Sequence, residues 1–540
     1  MTLSRRDVLA LSPALAFVVL FALVPAVVLF ASTAAAAGGL GGIVAIVSSP
    51  LNVASIENSL EQGSLSATLA VALGYPAGVF FGRYAFPGRD VLRSLLLVPF
   101  LLPSLIVVFG VLDLFGADGV LSSAVPWLGT FGSGLPAIVV ANLAFNVPVV
   151  VLFTSAGCES APRDLEETVA SLGGSPARAY VDVWGAPTWV GAAAGGLLTF
   201  LFSSLSFAPP LLLCGPRCYT VEARIWSLAS LGLDPTAAGV LALAMVGLFL
   251  LPTVVYLALL GRLRGASGRA RPRQRSAPAR SVAGVALAAE TALVVGSVVV
   301  LLAAVLDRTL APVGGRGPGS AWVALFSNAT TARLGVSAVG LVANTLLFAT
   351  GAAVVALLLG IVLGFAVQGR TARAGALGLV LFVPLLLSPV VLAIALAEFW
   401  RPLLGGAPNV WILVIVSQAV LALPFALQSI EIPLSGLSPS VREGAEALGA
   451  SRWVAFVDAD LPRVRDGLAT AGLFAFALGL GEFTATNFLV TARLTTLPVA
   501  LYELADSRLF AVADAAAGLL LLLSLAVFLV IAVGGRRVEL

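Results

Sequence analysis

Apolar residues run through this chain in long unbroken stretches, and polar residues collect in the short intervals between them. A helix that crosses a hydrocarbon core needs about 20 mostly apolar residues. By that measure twelve stretches qualify: 9–33, 64–84, 92–115, 135–157, 191–213, 236–260, 282–306, 338–367, 375–400, 410–430, 466–490 and 511–534. Arg5 and Arg6 precede the first, as they would in a secretory signal. Its length and the spans that follow predict a retained helix instead. The pattern predicts an all-α integral membrane protein with about twelve transmembrane helices.

The pattern also repeats. Asn58-Ser-Leu60 opens one pair of spans and Asn344-Thr-Leu346 opens another, 286 residues later. Leu97-Val-Pro-Phe-Leu-Leu-Pro103 has a counterpart in Phe382-Val-Pro-Leu-Leu-Leu-Ser-Pro389. Pro148, Gly173, Phe200 and Thr220 recur as Pro424, Gly449, Phe476 and Thr496, all at an offset of 276. Six spans separate equivalent elements. An even number keeps both repeats in one membrane orientation, related by an axis along the membrane normal that encloses a central path. The expected domains are 1–260 and 282–540, six spans each. Between them lies 261–281, a cytoplasmic linker rich in Arg, Pro, Gly and Ser.

Two polar intervals stand apart, at about 160–190 and 431–466. In each, apolar residues recur at helical spacing: Leu165, Val169 and Leu172, then Val441, Ala445 and Leu448. Gly173 and Gly449 follow where such a helix must close, because glycine adopts the left-handed conformation that ends it. A second short helix is expected around Tyr180–Trp184 and Trp453–Val457, and Pro187 and Pro462 mark re-entry into the next span. Helix physics alone allows either a surface-lying helix pair or a docking element; duplication at matching places favours docking.

Composition sharpens this reading. Of 540 residues 59% are hydrophobic and only 11% charged, against about 25% charged in a soluble chain. All 30 basic residues are arginines, and histidine is absent. A net charge of +3 argues for no nucleic-acid partner. The placement of arginines is more telling: 22 of the 30 fall on one side if the N-terminus is cytoplasmic. The positive-inside bias then puts both termini and both polar intervals in the cytoplasm of a multi-pass cell-membrane protein. Cys214 and Cys218 share one short loop, where they either pair or are incidental. With no histidine, no zinc site is expected, and no metal or cofactor is read from the sequence. Without lysine there is no phosphate-binding loop of the Gly-x-x-x-x-Gly-Lys type. No catalytic constellation is present, so the chain is read as a non-enzyme.

The second interval resembles the cytoplasmic signature of the permeases of binding-protein-dependent ABC importers. Glu443, Ala445, Gly449, Leu461 and Pro462 match it in place, whereas Gly444 and Ala459 depart from it. The first interval keeps Glu167, Gly173 and Pro187 but carries one extra residue and lacks both alanines. Asn58-Ser-Leu, Leu73–Gly78, Arg83–Arg89, Gly481-Glu-Phe483 and Thr495-Thr-Leu-Pro498 extend the resemblance over most of both halves. Double permeases of this length are similar to the iron(III) and thiamine types, and Tyr219–Trp226 with Thr495–Tyr502 look more like the thiamine type. The resemblance implies two copies of a separate cytoplasmic ATPase beneath the two intervals and an extracellular or periplasmic substrate-binding protein above. Closure of the ATPases would move Glu167, Glu443 and their glycines and rock the halves to alternate access. A major-facilitator-type transporter is the rival with the same span count, but its pattern has no duplicated polar interval.

Substrate contacts are expected near Glu482, which lies within the eleventh span beside Phe476, Phe483 and Asn487. An acid at membrane depth costs a few kcal/mol and is a functional candidate by default. It could meet a cation, with the aromatics adding cation–π attraction, but a cap on a break in its helix or a pair with a nearby arginine is the favoured reading. Topology is directly testable. Reporter domains fused after Ala270 and at the C-terminus should read as cytoplasmic, and one fused after Gly315 as external.

Overall fold

The structure, a computed structural model, describes residues 5–89, 91–93, 95–96, 102–230, 232–267, 275–276, 282–310, 312, 317–367, 387–405, 410–435, 437 and 440–535. Helix dominates because hydrocarbon offers no partner for a free N–H or C=O, and a helix closes its own hydrogen bonds. Among the described residues ten helices are long and apolar enough to cross a membrane. They are α1 (Ser12–Ala36), α2 (Pro50–Arg83), α3 (Ser104–Ala124), α4 (Gly134–Glu159), α5 (Pro176–Ser204), α6 (Pro235–Leu263), α7 (Gly284–Arg308), α8 (Ala338–Phe365), α10 (Val410–Ile430) and α12 (Phe510–Val530). Between them stand the shorter α9 (Pro389–Leu403) and α11 (Arg465–Gly481). Expected span 375–400 lies partly outside the described residues, and α9 is its visible end. The segment Trp453–Val464 enters α11 at a 72° bend, and expected span 466–490 is broken after Gly481, where Thr484–Leu489 forms a separate short helix. The helix of α6 continues to Ser267, into the expected linker, and Arg275–Ser276 pairs in parallel with Tyr84–Ala85.

Two triangles of helices form the core. α2, α4 and α5 pack on one another, and α8, α10 and α11 repeat that arrangement. The first span of each half crosses to the other triangle: α1 packs on α8 and α9, while α7 packs on α2 and α3. Each triangle is thus enclosed partly by a helix from the opposite half of the chain.

Without a hydrophobic force between helices in lipid, small residues decide which faces meet. α2 carries Gly74, Gly78 and Gly82, one helical turn apart. A Cβ on them would lie 2.8 Å from Val150 Cβ, 2.5 Å from Thr154 Cβ and 2.7 Å from Cys158 Cβ of α4. The second triangle repeats this seam with Gly360 and Gly364, 286 residues after Gly74 and Gly78. Their Cβ positions lie 2.9 Å from Ile430 Cδ1 and 3.0 Å from Leu434 Cδ1.

The repeated Asn-Ser/Thr-Leu triplets act as clamps. Asn58 Nδ2 donates to the Tyr219 carbonyl at 3.2 Å, and Ser59 Oγ accepts from Val221 N at 2.9 Å. Asn344 Nδ2 donates to the Thr495 carbonyl at 3.0 Å, and Thr345 Oγ1 accepts from Leu497 N at 2.8 Å. In both halves the triplet holds the chain entering a short helix, Val221–Ser230 or Leu497–Asp506.

Overpacking a filled seam costs about 1–3 kcal/mol. Gly78→Val is therefore expected to lower the thermal midpoint of the purified protein by several degrees. Gly296→Val should leave it unchanged, because nothing lies within 4 Å of that Cβ position.

Candidate functional site

The two polar intervals fold alike, residue for residue at an offset of 276. Helices Arg163–Ser171 and Ser440–Ala447 end in the same hydrogen-bonded cap. Gly174 N donates to Val169 O at 2.8 Å and Gly173 N to Ala170 O at 3.0 Å. Ala450 N donates to Ala445 O and Gly449 N to Glu446 O, both at 3.0 Å. This double bond pattern needs a left-handed residue, and Gly173 and Gly449 supply it at φ +77° and +95°. Ser175 and Ser451 then cap the next short helix by accepting from Arg178 N and Val454 N, each at 3.3 Å. A π-helical turn follows in each copy, at Tyr180–Trp184 and Phe456–Asp460.

The apolar stripe expected on these helices divides in two. Val169 and Ala445 are half-buried, whereas Leu172 is 83% and Leu448 91% exposed. Glu167 and Glu443 are exposed beside them. Each interval therefore projects a leucine–glycine knuckle flanked by a carboxylate. Pro187 and Leu461 are half-buried and Pro462 exposed, where the chain turns back into α5 and α11.

The knuckles are held to the bundle by different chemistry. In the first, Arg83 at the end of α2 pairs with Glu166 at 2.5 Å and lies 4.1 Å over the Trp184 ring. Tyr180 Oη shares a 2.9 Å hydrogen bond with Tyr75 and accepts from Trp189 Nε1 at 2.6 Å. In the second, Phe365 of α8 packs edge-on to Trp453 at 4.9 Å and tilted to Phe456 at 5.2 Å. Sequence reasoning missed these anchors, since Arg83 stood out only for its side of the membrane and for the family resemblance, and Glu166 stands beside the expected Glu167.

A cavity of about 340 Å³ lies between the triangles. Its polar lining includes Asn142, Asn146 and Ser206 from one half and Gln418, Glu482 and Ser388 from the other. Asn142 and Gln418 occupy equivalent positions, as do Ser206 and Glu482. Asn142 Nδ2 donates to Gln62 Oε1 at 2.6 Å, and Gln418 Nε2 to Thr486 Oγ1 at 3.2 Å. The side chain of Glu482 serves its own helix. It accepts from Ala485 N at 2.7 Å and Thr486 N at 2.8 Å, capping Thr484–Leu489 where the eleventh span breaks.

Beside the cavity four aromatic rings close a circuit. Phe207 stacks on Phe483 at 5.6 Å, and Trp226 meets Tyr502 edge-on at 6.4 Å. Phe207 also touches Trp226 at 6.1 Å, and Phe483 touches Tyr502 at 5.3 Å. Both contacts between halves join residues 276 apart, so the ring sits on the axis relating the repeats. Of the four expected path residues, Glu482 lines the cavity and Phe483 belongs to this ring. Phe476 packs into the core instead. Asn487 lines a separate cavity, of about 670 Å³, with Ser32, Glu398 and Arg401. Asp113, near the end of the Ser104–Phe115 helix, is buried and lies 3.6 Å from Arg308. Cys214 and Cys218 lie with Cα atoms 5.8 Å apart, inside the range a disulfide can bridge.

No protein-family model matches the chain. It is 28% identical over 476 residues to the thiamine transport system permease protein of Brucella abortus, covering 82% of this chain and 81% of that one. To the protein of that description in Escherichia coli it is 27% identical over 504 residues, 89% of each. To a probable molybdenum ABC transporter permease protein of Haloferax volcanii it is 33% identical over 199 residues, 35% of this chain and 69% of that one. Among solved structures it is similar to a bacterial ABC transporter involved in the import of the acidic polysaccharide alginate. That likeness has a TM-score of 0.40 and 16% identity, over 47% of this chain and 96% of the other. Taken with its membrane-spanning helices, the similarity to these permeases places the chain in the ABC transporter permease family.

Proposed function

We propose that the chain is the fused translocation subunit of an ATP-driven importer for thiamine, with residues 1–260 and 282–540 as its two halves. The observation that carries this reading is the pair of matched knuckles, Leu172-Gly173 and Leu448-Gly449. Two exposed leucines at equivalent places, each on a rigid glycine cap, suit a two-fold partner that grips both at once. A cytoplasmic ATPase present in two copies has that symmetry. Substrate would arrive from an external binding protein at the side of the aromatic ring. Beyond its π-helical turn, α5 runs 20 residues from Gly185 to Ser204, about 30 Å at 1.5 Å per residue. That length sets Phe207 roughly one membrane thickness from the first knuckle. Closing the ATPase pair would draw the knuckles together and part the ring, and the 340 Å³ cavity would hold the solute between the two events.

Thiamine is the substrate supported by the names of relatives matched over most of their length. Ferric iron, the other expectation, has no such support. Cells whose only thiamine uptake route is this permease with its ATPase and binding protein should accumulate labelled thiamine. Ferric iron uptake by the same cells should stay at background.

The knuckles have their own test. Gly449→Val forces a β-branched residue into φ +95°, and Leu448→Asp charges the exposed tip without straining it. Both are expected to insert into the membrane normally and to lose most uptake. Leu448→Asp should also lose co-purification of the ATPase. Normal uptake by both variants would refute the docking role of the second interval.

A further inference from the structure

Among the described residues Glu222 is the most deeply buried carboxylate that the proposed mechanism does not use. It sits in Val221–Ser230 with no exposed surface. The Ser388 hydroxyl stands beside it, and among the described residues neither carboxylate oxygen meets a donor in full hydrogen-bond geometry. Among the described residues no arginine pairs with it. As an unpaired carboxylate it costs several kcal/mol to bury, a cost that a cationic partner present only part of the time would offset.

Its neighbours point to what that partner is. Ser388, from the opposite half of the chain, lines the central cavity, so Glu222 lies against the cavity wall. Trp226 is four residues on, hence on the same helical face, and it belongs to the aromatic ring. The position equivalent to Glu222 in the second half is Pro498, so the repeat contributes only one charge here. Glu482 differs because its oxygens are already engaged by backbone N–H groups. One buried carboxylate such as Glu222, a helical turn from a ring of that aromatic circuit, suits a cation with no hydrogen to donate. Such an ion is satisfied by charge and by aromatic faces alone.

We propose that Glu222 is the counter-charge for a quaternary ring cation crossing the parted aromatic ring, with Phe207, Trp226, Phe483 and Tyr502 as the π-lined remainder of the same transient site. The proposal rests on the thiamine reading, whose thiazolium nitrogen is such a cation. It makes Glu222 a substrate contact and leaves Glu482 to hold the helix break.

The test uses the full complex in proteoliposomes, with labelled thiamine on loaded binding protein outside and ATP supplied to the ATPase. Uptake is normalised to inserted permease, and ATP hydrolysis is followed in parallel. Glu222→Gln keeps the shape and removes the charge. It should cut uptake at least on the order of tenfold, as for one lost partner of a desolvated charge pair. Hydrolysis stimulated by the binding protein should change by less than about twofold, an uncoupled phenotype that a misfolded protein would not show. Glu222→Asp should retain more uptake than Glu222→Gln. Undiminished uptake by Glu222→Gln, equal losses in both variants, or parallel loss of uptake and hydrolysis would each overturn the site. A wild-type complex that moves no thiamine would instead overturn the substrate reading, and this site with it.

Discussion

A helix that breaks at membrane depth exposes N–H and C=O groups that lipid cannot satisfy, and this architecture depends on how the chain answers that constraint. The breaks come at equivalent places, before Ala208–Leu213 and before Thr484–Leu489. In the second, the carboxylate of Glu482 takes up the freed N–H groups. One step further along, Ser59 and Thr345 receive the first N–H of the following short helix. With those groups satisfied, the backbone can turn aside from the membrane normal. That turn leaves room for the central cavity and brings Phe207 and Phe483 face to face.

The seams and the crossed helices convert these local solutions into one mechanical body. Glycine seams bind α2 to α4 and α8 to α10 closely enough that each triangle behaves as a unit. α1 and α7 each lie on the opposite triangle, so movement of one triangle is transmitted along helices of both halves. The two knuckles differ in their anchors. One is tied by an ion pair and a cation–π contact, which depend on charge, and the other by packed aromatic rings, which do not. The chemistry of the two attachments is therefore not interchangeable, although their backbones superimpose in pattern.

Much of this was legible in the linear chain. Span length, the turn glycines Gly173 and Gly449 and the repeat offsets all arise from interactions within a few residues or from hydrophobicity summed over twenty. The Asn-Ser/Thr-Leu triplets stood out as a repeat, but their clamping role needed Tyr219 and Thr495 beside them. Glu482 was legible as a charged residue in an apolar span, and only its bonded neighbours separate a helix cap from a substrate contact. Phe476 and Asn487 share its stretch of sequence yet face elsewhere, since a broken helix does not keep one face.

What the sequence determined by itself was therefore what local hydrogen bonding and partition into hydrocarbon set: the helices and their order, the polar knuckles and the duplication. Tertiary structure alone decided which helices meet, because lipid-facing and buried faces are equally apolar and leave no period to read. It placed α1 and α7 on the opposite triangles, set Arg83 on Glu166, and closed four distant aromatics into a ring. It also left Glu222, among the described residues, without an arginine to pair with. A carboxylate's significance lies in what surrounds it, and the groups around Glu222 come from parts of the chain that only folding brings together.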